Sequence, residues 1–248
     1  MTFIKLHYTI LASVLVGALF SAPAFAQDVS VTFDDAGTLT TRTVQLLVLI
    51  TLLSLVPGIA IMVTCFPFIV TVLAILRQAI GLQQSPPNML IVSLAIFLTY
   101  FVMEPVLGAS YEQGIVPLVE GRVELEEAFR RTMEPLRGFM INRSDPATFA
   151  ELATLRGDLS QSSEIDTAPL SVLVPSFMLS ELERAFQVGF LIFLPFLIID
   201  LVVAAVLMSM GMMMVPPAIV SLPFKLAFFV VADGWSLVAA SLVRSYSI

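Results

Sequence analysis

Long stretches without a charged side chain alternate along this chain with one polar block, and their boundaries set the elements. Between Arg42 and Arg77 lie 34 consecutive uncharged positions. As one helix they would measure about 50 Å at about 1.5 Å per residue, well past a hydrocarbon core of about 30 Å. Pro57-Gly58 and Pro67 fall inside the run. Each proline removes a backbone donor and crowds the preceding turn, so the run is expected to kink or divide there. A polar link, 77–88, leads to a second apolar run, 89–103, which weakens past Glu104-Pro105 toward Gly108. Pro86-Pro87 disfavours helix just before it, and Asn88 is placed to open it. These two runs form an α-hairpin.

Residues 109–179 change character, carrying eleven acidic residues and six arginines. Glu126/Arg130 and Glu127/Arg131 have the i,i+4 spacing of helical ion pairs. Asp145-Pro146 has the form of a helix start, with an end near Arg156. The stretch 157–167, "GDLSQSSEIDT", has the polarity of an exposed loop. A third apolar run opens at "SELERAFQVGF", where Ser180 and Glu183 fit a capping box, and continues through Asp200 to Met210. A fourth, 218–243, contains Lys225 and Asp233. Between them stands "GMMMVPP", 211–217, an apolar connection where turns are usually polar.

The pattern therefore predicts an all-α protein of two long, kinked apolar hairpins flanking a soluble helical insert. Composition places it at a membrane. The chain is 58% hydrophobic and 12% charged, with mean hydropathy +0.98, against about 45–50% and about 25% for soluble domains. A net charge of −7 argues against nucleic acid, which calls for a basic stripe.

The N-terminus has the layout of a signal peptide. Lys5 and His7 precede an apolar core at 10–20, and Ala24 and Ala26 supply the small residues a signal peptidase pocket admits, placing cleavage between Ala26 and Gln27. A first membrane helix is the competing reading, but that core is short of the about 20 residues a span needs. Cleavage removes the only histidine and leaves Cys65 and Lys225 as the single cysteine and lysine. A Ser-His-Asp triad, a Cys-His pair and His- or Cys-rich metal sites then have no residues to build them. No Gly-rich phosphate loop occurs. No enzymatic activity, metal or cofactor is expected, a carboxylate-based membrane enzyme being the one catalytic option left.

Three stretches, "LRQAIGLQQSPPN", "ELERAFQVGFLIFLPFLIIDLVVAAVLMSMGMMMVPP" and "SLPFKLAFFVVADGWSLVAASLVRSY", resemble the FliP family, the flagellar member of the type III secretion export gate. The resemblance covers 42–246 and implies 1–26 as cleaved signal, 27–43 as an extracytoplasmic segment, 44–108 as first hairpin, 109–179 as extracytoplasmic insert and 180–248 as second hairpin. It implies about five copies assembling with FliQ and FliR, and with FlhA and FlhB nearby, into a helical, closed pore in the bacterial inner membrane at the flagellar basal body. Unfolded export substrates would leave the cytoplasm through it. Overlong, proline-interrupted apolar helices suit burial against protein in such an assembly better than a plain lipid span.

The family places a gating loop at the methionine junction, and its role passes to Met212, Met213 and Met214, with Met210 flanking. Flexible, polarizable thioethers repeated around a ring can close on one another and yield to varied cargo. Gly211 would let the chain leave the helix, and Pro216 and Pro217 would keep the loop from becoming helical. The competing reading is a buried hairpin turn filled with soft core residues.

Charges inside apolar runs need partners, water or a helix end. Lys225 and Asp233 are about 12 Å apart along one helix, so Lys225 needs a partner elsewhere. Glu181 of a neighbouring copy is the expected one, with snorkelling to a headgroup as the alternative. Asp200 and Asp233 suit hydrogen bonding between helices, or the proton relay of an ion or small-solute transporter, the second functional class. Arg77 has the position of a solvated or headgroup charge.

Overall fold

The computed structural model describes residues 39–81, 87–156, 165 and 168–246. The expected signal peptide with its Ala26/Gln27 cleavage site, the start of the 27–43 segment, and the 157–167 loop apart from Ile165 lie outside them. Every regular element among the described residues is helical. The chain divides into two compact units, 1–51 and 52–248. The described residues of the first are the opening of α1, Leu39–Met62.

In the second unit, Pro57 does not interrupt α1. The break falls later, at Val63, Thr64 and Cys65, just ahead of Pro67. A proline is tolerated in the first turn of a helix, where its missing N–H would have had no partner, so Pro67 opens α2, Phe66–Ile80. That helix ends on Gly81, whose φ of 86° and N–H to the Gln78 carbonyl (3.0 Å) form a left-handed stop. The second apolar run is α3, Asn88–Ser110, beginning at Asn88 as its sequence suggests. It continues through a π-helical turn, Tyr111–Ile115, into the short α4, Val116–Val119.

The insert helices are α5, Leu125–Arg143, and α6, Pro146–Arg156. Asp145 caps α6 with its Oδ2, which accepts from the Thr148 N–H (2.9 Å) and hydroxyl (3.0 Å). Those bonds, the backbone one foremost, hold its carboxyl below the usual range. On α5 the expected Glu126/Arg130 pair is replaced. Glu127 takes both Arg131 and Arg130, which hold its carboxyl low.

The third run begins ten residues earlier than its capping signal. Helix α7 spans Leu170–Ser209, about 60 Å at about 1.5 Å per residue. Pro169 stands in extended conformation before it and supplies the start. Ser180 is therefore interior: its hydroxyl donates to the Ser176 carbonyl (2.8 Å) and accepts from the Asp145 N–H (2.8 Å). Glu183 bonds Gln187 instead of capping. The fourth run divides into α8, Pro217–Val231, and α9, Gly234–Arg244, bent by 61°. The corner is Asp233, at φ 50°.

The core is built around α2. Phe68, Ile69, Val72, Leu73, Leu76, Ala79 and Ile80 are buried, recurring at the three- and four-residue spacing of a helix face. α2 packs most extensively on α7 and also against α3 and α8. Gly189 of α7 lies against Ile75 of α2, where an added Cβ would stand 2.4 Å from Ile75 Cδ1. Thr43–Met62, Asn88–Val119 and Leu170–Ser209 are each long and apolar enough to cross a membrane, and the bent α8–α9 pair makes a fourth if it counts as one span. This is an all-α membrane protein.

Candidate functional site: a methionine tip and two buried charge sites

The methionine junction is the tip of the α7–α8 hairpin. Gly211 has φ 75°. Its N–H bonds the Met208 carbonyl (3.0 Å) and the Met212 N–H bonds that of Leu207 (3.0 Å). This is a Schellman stop, which satisfies the last carbonyls of α7 through one left-handed residue. Pro216 is extended and Pro217 is the first residue of α8. The pair thus ends the loop by starting a helix, as a proline at the first position can, rather than merely excluding one. Met210 and Met212 are exposed, and Met213 and Met214 are 84% and 97% exposed. Within this chain the tip is not a buried turn.

The charges of the apolar runs separate into two sites at opposite ends of α2. At its C-terminal end the Lys225 ammonium donates to Asp200 Oδ2 (2.6 Å) and to the Ala79 carbonyl (3.1 Å). Ser221 donates to the other oxygen of Asp200 (2.5 Å). The Lys225 side chain is 7% exposed and that of Asp200 33%. A cation on a terminal carbonyl also complements the negative end of the α2 dipole.

At the other end, Glu181 is fully buried. Its Oε1 accepts from Arg143 Nε (2.9 Å) and Arg184 (3.3 Å), and its Oε2 from the Tyr246 hydroxyl. Arg143 also donates to the Ser245 carbonyl (3.0 Å) and lies 4.1 Å from the Tyr246 ring centroid. Arg184 donates to the Arg143 carbonyl (2.5 Å). The Tyr246 phenol is pushed up by burial and by the Glu181 carboxylate, which keeps its proton available to donate. Tyr246 meets Phe68, in the first turn of α2, edge-on with ring centroids 5.6 Å apart, which sets this site beside the N-terminal end of that helix.

Within one chain Glu181 and Lys225 do not meet; the pair expected of them is one between neighbouring copies. The two groups occupy separate networks, each with partners of its own within the chain. Asp200, expected to hydrogen-bond between helices or to relay protons, bonds Lys225 and Ser221 of α8. Asp233 is exposed at the α8–α9 corner, where its carbonyl accepts from the Leu237 N–H (3.0 Å). Arg77 bonds the Asn88 side chain across the 77–88 link. Sequence reasoning missed Arg143, Arg184, Tyr246 and Ser221 as members of these sites. One signal was available: Asp200 stands thirteen residues before Met213 and Lys225 twelve after it, which an antiparallel hairpin brings side by side.

The FliP family model matches residues 49–242. The chain is 53% identical over 233 residues to the flagellar biosynthetic protein FliP of Caulobacter vibrioides, covering 92% of this chain and 86% of that one. It is 45% identical over 207 residues to that of Bacillus subtilis (82% and 92%). With that of Agrobacterium fabrum it shares 42% identity over 247 residues (98% and 100%). Matches of this extent across an all-helical membrane fold show that this chain belongs to the FliP family, whose members named here are flagellar biosynthetic proteins.

Proposed function

We propose that this protein is a non-enzymatic, pore-forming core subunit of the flagellar type III export gate. About five copies would assemble with FliQ and FliR, alongside FlhA and FlhB, in the bacterial inner membrane at the basal body, with a large extracytoplasmic part. Unfolded flagellar proteins would pass through the pore, closed at rest by a ring of methionine tips. The observation that carries the reading is the tip itself: four large apolar side chains projecting from the end of a helical hairpin without a covering in their own chain. Such residues stay exposed only where something else meets them. An apolar constriction excludes water and ions when closed, and thioethers adapt to differing shapes when opened.

The transporter reading needs a carboxylate free to take up and release a proton. Asp200 is held by Lys225 and Ser221, which favours a structural role. The deciding experiment is the triple variant Met212→Ala, Met213→Ala, Met214→Ala. A constriction predicts raised permeability of cells to ions or small solutes, with normal recovery of assembled complex. Normal impermeability with normal assembly overturns the constriction. Loss of complex before any leak would instead mark a core turn.

A further inference from the structure

The α7–α8 hairpin is an antiparallel pair whose intervening contacts are largely apolar. Phe196 meets Phe228 and Phe229 with ring centroids 5.9 and 6.4 Å apart. Such contacts hold helices together but specify position weakly, because one large apolar side chain replaces another after a slip of one turn. Directional groups do specify it. The α7–α8 hairpin itself has one such rung, Asp200 with Lys225 near the tip, while Glu181 with Tyr246 ties α7 to the residues after α9. Both pairs straddle Met213 nearly symmetrically, Tyr246 lying 33 residues beyond it and Glu181 32 before. The near rung also reaches a third helix, through the Lys225 bond to the Ala79 carbonyl at the end of α2, as Glu181 does through Arg143 of α5.

We propose that the Asp200–Lys225 pair is a register pin, positioning α7, α8 and the end of α2 so that the methionine tip stands at one fixed height. Ser221 belongs to the pin, since its hydroxyl occupies the second oxygen of Asp200 and fixes the carboxylate's orientation. A slip of α8 by one turn would carry Lys225 about 5 Å away from both acceptors, leaving an ammonium and a carboxylate uncompensated among apolar side chains. The pair therefore penalises wrong registers more than it strengthens the right one. Its consequence for gating rests on the tip being the constriction, but the height of the tip is measurable without that reading.

The test uses the full chain in its purified complex, with Cys65→Ala, spin labels at Met213→Cys and Gln78→Cys, and dilution with unlabelled chain. Dipolar spectroscopy should give one narrow distance for the parent. Replacing both charges by apolar groups, Asp200→Leu with Lys225→Met, should broaden that distribution or shift it by about 5 Å, one helical turn. A control pair at Asn142→Cys and Gln187→Cys should stay unchanged. An unaltered tip distance in the double variant overturns the pin. Should the double variant yield no folded protein, Asp200→Asn decides: it keeps the size while removing the charge, and again broadening supports the pin and an unchanged distance overturns it. A displaced tip without any leak would leave the pin standing and count against the constriction, whereas an undisplaced tip defeats the pin whatever the permeability.

Discussion

Glu181 is a fully buried carboxylate and owes its place to three donors from three parts of the chain. Arg143 ends α5, Arg184 lies one turn along α7, and Tyr246 follows α9. Removing one member of such a site leaves the others buried and unpaired, typically at about 3–5 kcal/mol for a charge and about 1–3 kcal/mol for a neutral group. Tyr246→Phe keeps the ring, stacked on Phe139 at 6.0 Å, and deletes only the hydroxyl. It should therefore lower stability by about 1–3 kcal/mol, and Glu181→Ala by more, about 3–5 kcal/mol, because it strands Arg143. Thermal unfolding in detergent measures both, and equal midpoints for the Phe variant and the parent would dismiss the hydroxyl as a partner. The need of Glu181 for a cation was legible, since a carboxylate at the head of an apolar run demands one. Its identity was not, because Arg143 lies 38 residues away in what reads as a solvated insert.

Helix ends were legible where a local signal had no rival and misread where it had one. Asp145-Pro146 and Arg156 bound α6 as their chemistry predicts. The Ser180/Glu183 signal was overridden because Pro169, upstream, starts a helix that a downstream serine can only continue. Close packing between α2 and α7 depends on Gly189, which is unremarkable in sequence. Gly189→Val would drive a branched side chain into Ile75, where even a Cβ would lie 2.4 Å from Cδ1. Overpacking of this kind costs about 1–3 kcal/mol. The same variant carrying Ile75→Ala should recover much of the loss. Denaturant midpoints for the two variants measure it, and an absence of recovery would place the strain elsewhere.

Among the described residues much large apolar surface is uncovered within the chain itself, from Leu52 and Leu53 on α1 to Leu201 and Val202 on α7. Helices of this kind are stable only against lipid or other protein. At 40 residues, α7 is twice the length a bilayer of about 30 Å requires, so part of it must meet protein. On the proposed function the protein should accordingly be recovered as a homo-oligomer, or as a hetero-oligomer with FliQ and FliR. Native mass spectrometry of the co-expressed proteins tests this, and a stable monomer as the sole species would count against a ring of subunits.

By itself the sequence determined the helical class, the membrane setting, the second hairpin with its methionine tip, and the bounds of α6. Each follows from local facts: runs without charge, prolines that admit few conformations, a glycine able to turn left-handed, a cap adjoining the helix it serves. What the tertiary structure decided was which distant charges meet. Lys225 had acceptable partners in several helices, and the choice fell on Asp200 because the hairpin register and the carbonyl end of α2 converge there. Glu181 found Arg143 and Tyr246 because the chain returns to the opposite end of α2. Partnership between charges on different helices is settled by three-dimensional proximity, which neither spacing along one helix nor the kind of residue encodes.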